Sequence, residues 1–370
     1  MQLVLSEDQE YLRTTVRQFL DARSPIACVR AVVDGEAGYD MHLWKRAAVE
    51  LGLVGLVVPE VYGGTGAGHI ERSIVSEELG RRLVPTPFLS SAVLATDTLL
   101  ALDDEDARAE LLPMMVAGAV TVALAIAEGA AYWDADQVRT RATRAASSWV
   151  LDGHKTLVVD GASADLILVY AHSEEGPAFF RVEANAPGLV LTRLASFDPT
   201  REFAALELQS APAVRLESAN ARAAVDVIRD RATIALAAEQ LGGLWASSEL
   251  AVEYAKIRVQ FGRYIGSFQA VKHSCVDSLI DAELGQSAVR YAAWTVDHSP
   301  EETPLAAAMS RVVVAPAYFR VAERTIQVLG GIGYTWEHDA QLYYKRAKST
   351  ELLFGDRVEQ RRALAARLEL

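Results

Sequence analysis

The stretch RVQFGRYIGSFQAVKH, Arg258–His273, decides how this chain is read, together with QVLGGIGY at Gln327–Tyr334. The two strings supply a fixed cation, amide side chains and a close-approach glycine turn, and the surrounding periodicity places them on long helices. That combination suits the pyrophosphate and adenosine of a dinucleotide: a guanidinium offers forked, permanently charged donors, and glycine lets backbone come near a phosphate.

Working outward, residues 1–120 carry helical spacing, with Leu12, Val16, Phe19 and Leu20 on one stripe and Leu43, Ala47, Val49 and Leu51 on another. Ser6 is the expected N-cap of the first helix, with Glu10 behind it. Gly63, Gly64, Gly66 and Gly68 precede a helix over Ile70–Leu83, which Pro85 and Pro87 end, and Leu99–Ala117 reads as helix again. From Val120 to about Ala221 the texture becomes short β-branched or aromatic runs punctuated by Gly153, Gly161, Gly176 and Pro187–Gly188, the pattern of a small antiparallel barrel or sandwich. Residues 223–259, 267–298, 303–329 and 338–369 then read as four long helices, which favours a bundle. The expected architecture is α+β in three parts: a helical domain over 1–120, a β domain over 121–220 and a helical bundle over 221–370. At 370 residues the chain is longer than one core usually supports.

Lys and Arg number 36 against 49 Asp and Glu, a formal charge of −13, with a sequence pI near 5.1. This balance argues against nucleic acid as the main partner, because phosphate backbones need clustered positive charge. A local arginine can still bind an anionic cofactor. Cys28 and Cys275 have no metal-ligand spacing, so no metal is expected. Neither a signal sequence nor an uncharged bilayer-length stretch is expected, and the expected location is the cytoplasm.

In this order and spacing, RVQFG…FQAVKH and QVLGGIGY, with VPEVYGGTGAG at Val58–Gly68, SEELGR at Ser76–Arg81 and FDPTREFAALEL at Phe197–Leu208, resemble the acyl-CoA dehydrogenase family of flavoproteins nearly end to end. The resemblance implies an FAD site built by two subunits, one supplying the pocket for the isoalloxazine ring and its neighbour reaching the adenine-diphosphate end. It places Arg258 on the pyrophosphate, Phe261, Gln269 and Gln327 at the adenine end, and Gly331 where backbone passes close to the cofactor. Taken alone, Arg258 would read as a surface partner of Glu249 or Glu253. The family's reaction removes the α-proton of an acyl-CoA thioester with a carboxylate, while the β-hydrogen leaves as hydride to FAD and passes on to an electron-transfer acceptor.

Two departures stand out against that resemblance. The catalytic Glu-Gly pair falls on Phe354–Gly355, and the alternative location of the base falls on Ala232, beside Thr233. Neither Phe354 nor Ala232 can accept a proton. The Thr-Glu that lies near the flavin aligns with Ala127–Glu128 and its following turn with GAAYWDAD, and the ring-covering Trp-x-Thr aligns with Leu157 and Val159. Glu239, Glu351 and Asp356 are the carboxylates that could substitute for the base, and Glu128 is read as orienting backbone. Three functions follow. The first is a subunit that has lost its own base and completes the FAD site of a homologous catalytic subunit in a heterotetramer. The second is a self-sufficient homo-oligomer with a relocated base such as Glu239. The third is a flavin-free acyl-CoA-binding or scaffold protein.

Overall fold

The computed structural model describes residues 4–35, 37–129, 133–145 and 148–370. The N-terminal helices are α1 (Glu7–Arg23), α2 (Ile26–Val33), α3 (Met41–Leu51), α4 (His69–Arg81), α5 (Thr96–Ala101) and α6 (Glu105–Val116). Ser6 caps α1 as expected, but its capping box closes with Gln9, the N3 residue, not with Glu10. Between Pro87 and α5 runs a π-helical segment, Phe88–Ala95, every residue of it buried. Phe88–Leu94, FLSSAVL, carries no clear amphipathic periodicity because Ser90 and Ser91 are buried with its apolar residues.

The middle region holds β1 (Val122–Ala125), β2 (Arg141–Ala145), β3 (Ser148–Val159), β4 (Leu166–Ser173), β5 (Gly176–Glu183), β6 (Leu189–Arg193) and β7 (Phe203–Arg215). Strands β2, β3, β7, β5 and β4 pair in a closed circuit, β1 adding to β4 and β6 to β7. The barrel is mixed rather than antiparallel, since β1 and β2 both run parallel to β4. Alternation explains why β4 is apolar from Leu166 to Ala171. Leu166, Leu168 and Tyr170 face the core shared with the helices, whereas Ile167, Val169 and Ala171 face the barrel interior. Both faces are covered, so no polar alternation survives.

The bundle comprises α7 (Ala221–Ile257), α8 (Gln269–His298), α9 (Thr303–Leu329), α10 (Ala340–Leu352) and α11 (Arg357–Arg367). Helices α4 and α7 cross with backbones in contact. A Cβ on Gly80 would lie 2.0 Å from the Glu239 carbonyl oxygen, and one on Gly242 would lie 1.8 Å from that of Glu77. Only glycine fits at either position. The region 303–334 is long and apolar enough to cross a bilayer by length and composition, although Arg311, Arg320, Glu323 and Arg324 lie within it. It lies in the bundle with 61% of its most apolar window buried against protein.

One segment lies between two expected helices and one breaks an expected helix. Residues following Arg258 leave the helix for a hairpin of β8 (Val259–Gln260) and β9 (Arg263–Tyr264). Its two-residue turn has φ of 52° at Phe261 and 77° at Gly262, the left-handed pair that a tight hairpin requires. The fourth expected helix is broken into α10 and α11 at the LLFGD string. Phe354 and Gly355 take φ of 63° and 111°, and Asp356 caps α11 in a box with Glu359.

Candidate functional site

Consecutive bundle helices run antiparallel, so the C-termini of α7 and α9 and the N-terminus of α8 share one end. Tyr254, one turn before Arg258, packs on Ile326 and Leu329, which flank Gln327. The structure thereby gathers Arg258, Phe261, Gln269, Gln327 and Gly331 at that end, and all five are exposed. Phe261 is 90% exposed at the hairpin tip. Among the described residues no carboxylate pairs with Arg258: Glu249 pairs with Arg81 and Glu253 with Lys256. No atom of this chain lies within 4 Å of a Cβ built on Gly331. A free guanidinium, an exposed ring, two amides and an open glycine turn fit the phosphate-adenine half of FAD, and they face away from their own chain.

The other half is a poor fit for a flavin ring. Ala127, Leu157 and Val159 belong to or pack on one apolar core that also contains Ala232, Trp133 and Phe354. The Phe354 and Trp133 rings meet edge to face, centroids 4.8 Å apart at 61°, and they are 6% and 5% exposed. Thr233, Phe354 and Arg311 line a space of only about 40 Å³, and neither Phe354 nor Ala232 brings a titratable group to it. Residues 130–132 of the GAAYWDAD turn lie outside the described residues.

Arg311 holds the Phe354 turn. Its buried guanidinium donates to Gln240 Oε1 at 2.6 Å, to the Leu353 carbonyl at 2.6 Å and to the Thr350 carbonyl, satisfying carbonyls left open at the end of α10. Burial pulls this guanidinium down to about 9, against the opposing pull of Glu351 and Glu239.

The substitute carboxylates are all engaged elsewhere. Glu239 accepts from Arg346 Nη1 at 2.7 Å and from Arg201 Nη2 through its other oxygen. Burial favours its neutral form, but the Arg201 and Arg346 charges outweigh that and hold the carboxyl below its usual range. A buried carboxylate with both oxygens taken by guanidinium groups is a poor proton acceptor, which weighs against the expectation of Glu239 as a relocated base. Arg346 also pairs with Asp198 at 2.8 Å and donates to the Thr200 carbonyl at 2.7 Å, tying FDPTR of the β domain to α7 and α10. Glu351 is buried between Lys348 and Arg357, and Asp356 Oδ1 accepts from the Val358 and Glu359 amides. Glu128 orients backbone, accepting from the Arg139 and Thr140 amides at 2.6 and 2.8 Å and from buried Lys155 at 2.8 Å. Trp133, Arg311, Arg201 and Arg346 were not found from sequence. Each acts across more than 35 residues, which no local pattern reveals.

Glu128 and Asp160, a buried carboxyl just after β3, set opposite pH limbs. Burial lifts the Asp160 carboxyl to about 7, with the Ser90 hydroxyl and Arg201 opposing. The folded state therefore holds a proton that the unfolded chain releases near 3.8, and stability rises as pH falls through 7. Glu128, drawn down to about 2 by Lys155 and Thr140 despite its burial, contributes stability present above 4.5 and lost as pH falls towards 2. Melting temperature should rise from pH 8 to about 5, a limb Asp160 shares with Glu77, which burial also lifts to about 7, and fall below 4.5; Asp160→Asn should reduce the upper limb. A melting temperature that falls steadily from pH 8 downward would refute this assignment.

Residues 6–119 match the acyl-CoA dehydrogenase N-terminal domain and residues 219–369 the C-terminal domain. The chain belongs to the acyl-CoA dehydrogenase family, oxidoreductases acting on acyl-CoA with FAD as cofactor. It is 36% identical to acyl-CoA dehydrogenase IpdE2 of Mycobacterium tuberculosis over 96% of both chains. Among solved structures it resembles the ChsE4–ChsE5 complex of Mycobacterium tuberculosis, with 30% identity, coverage of 100% and 99%, and a TM-score of 0.90. A variant of the Tcur3481–Tcur3483 steroid ACAD matches at 28% identity over 98% of both chains, with a TM-score of 0.88.

Proposed function

We propose that this chain is the base-lacking subunit of a heteromeric, cytoplasmic acyl-CoA dehydrogenase, in which it completes the FAD site of a homologous subunit that carries the catalytic Glu. The observation that carries this reading is the asymmetry between the two half-sites. Arg258, Phe261, Gln269, Gln327 and Gly331 stand exposed at one end of the bundle, whereas Phe354 and Ala232 leave the chain's own pocket without a base. FAD, when bound, supplies the hydride acceptor. This chain's residues would hold its phosphates through Arg258 and its adenine end through Phe261, Gln269 and Gln327.

A partner surface also supports the reading. Val276, Leu279, Ile280 and Leu284 form an exposed apolar stripe along α8 at i, i+3, i+4 and i+8 spacing. Resemblance to ChsE4–ChsE5, itself a complex of unlike subunits, makes a second homologue the first partner to seek. The steroid ACAD among its structural neighbours makes a steroid acyl-CoA the first substrate to test.

Co-expression with a Glu-bearing homologue tests the proposal. A stable mixed assembly that oxidises acyl-CoA, where this chain alone does not, is the expected result; full turnover by this chain alone would refute it. Phe354→Glu should fail to confer turnover on the isolated chain. The φ of 63° and the clamp by Arg311 hold that turn in place, and Leu157 and Val159 offer a flavin no hydroxyl. Turnover restored by that one change would show the ring site to be intact.

A further inference from the structure

We propose that the Trp133–Phe354 contact closes this chain's own acyl pocket, so that the chain takes up no acyl-CoA and a mixed assembly binds thioester only through its partner. The inference rests on the partner-subunit reading and adds a cause for the silent half-site: closure, beyond loss of a base.

Three observations converge on closure. The two rings pack edge to face from opposite sides, one on the loop before β2 and the other on the α10–α11 turn, and both are almost fully buried. Behind Phe354, the space shared with Thr233 and Arg311 is about 40 Å³, room for roughly one water molecule and not for an acyl chain. Between Leu79, Phe88 and Leu89 on one side and Arg201, Glu239 and Arg346 on the other, a space of only about 10 Å³ remains. Among the described residues, neither of these spaces is large enough for an acyl chain.

The closure is fixed in place. Arg311 clamps the carbonyl of Leu353, immediately before Phe354, and Arg229 Nη1 donates to the Trp133 carbonyl at 3.3 Å. On the outer side lies a cleft of about 380 Å³, whose charged lining is Glu128, Asp134 and Glu359 against Arg139. Lys155 neutralises Glu128 from behind. Among the described residues, one guanidinium facing three carboxylates gives the phosphates of a CoA ester no cationic cradle. Both ends of the thioester are refused.

The test is equilibrium dialysis of octanoyl-CoA, with CoA as control, against the full chain purified alone. The wild type should show no saturable binding up to millimolar concentration. Trp133→Ala combined with Phe354→Gly, the glycine chosen for the φ of 63°, should gain saturable octanoyl-CoA binding at least tenfold tighter than CoA. Phe354→Leu, which keeps the core filled, should remain non-binding. Helical circular dichroism confirms that each variant is folded. Saturable binding by the wild type, or a folded double variant that gains nothing, would overturn the proposal. If the double variant does not fold, the mixed assembly decides: one octanoyl-CoA per pair of chains is expected, and two would overturn closure. The partner reading fails by a different sign, flavin content that ignores Arg258, so the two failures are separable.

Discussion

Arg258→Ala should strip FAD from the assembled complex while leaving the fold and the association of subunits intact. The residue follows the last turn of α7, exposed and with no carboxylate paired to it among the described residues, so its removal leaves no buried partner unsatisfied in this chain. What it would lose is a charge-assisted contact to a phosphate, worth about 1.5–3 kcal/mol. That corresponds to flavin affinity weaker by roughly tenfold to more than a hundredfold. Arg258→Lys keeps the charge but not the fork and should fall between the two. The measurement is the ratio of flavin absorbance to protein in the purified mixed assembly. Unchanged flavin content in Arg258→Ala would remove this residue from the cofactor site.

Glu239→Gln should cost stability rather than chemistry. Glu239 sits where α4 and α7 touch through Gly80, and it takes one guanidinium on each oxygen. Neutralising it leaves Arg201 without its carboxylate and leaves Arg346 with Asp198 alone. Breaking a buried pair by removing one partner typically costs about 3–5 kcal/mol. The exposed Glu253→Gln should cost less than about 0.5 kcal/mol. Urea denaturation of the two variants beside the wild type reads the difference. A Glu239→Gln protein of wild-type stability would contradict the structural role given to this carboxylate.

Much of the fold was legible because its signals are local. Helical periodicity marks α7, α8 and α9 within a few residues of their ends, and turn glycines mark the change to strands after Val120. The reading went wrong where one unusual backbone angle interrupts a strong pattern. Phe354 adopts a left-handed φ, a conformation bulky side chains rarely take, and it breaks the helix expected over 338–369; Phe261 takes the same region in the short hairpin that follows α7. The parallel pairing of β1 with β4 was equally hidden, since strand direction depends on contacts more than 40 residues apart.

The candidate site divides in the same way. Phe354, Ala232 and the exposed set around Arg258 can be picked out by motif position, because each motif is local in sequence. What became of the remaining carboxylates could not be read. Glu239 looks available on α7 until Arg201 from the β domain and Arg346 from α10 are seen closing on it. Trp133 carries no signal in a loop without periodicity, and its meaning appears only when Phe354, more than 200 residues on, is found against it.

The flavin absorption spectrum of this chain purified without any partner, with flavin counted per chain, tests the central claim most directly. A chain that completes another subunit's site should carry almost no flavin alone, and should contribute to a flavin-bearing complex once the homologous catalytic subunit is added. One FAD per isolated chain would contradict the account, since the ring would then have found its contacts around Leu157 and Val159 after all.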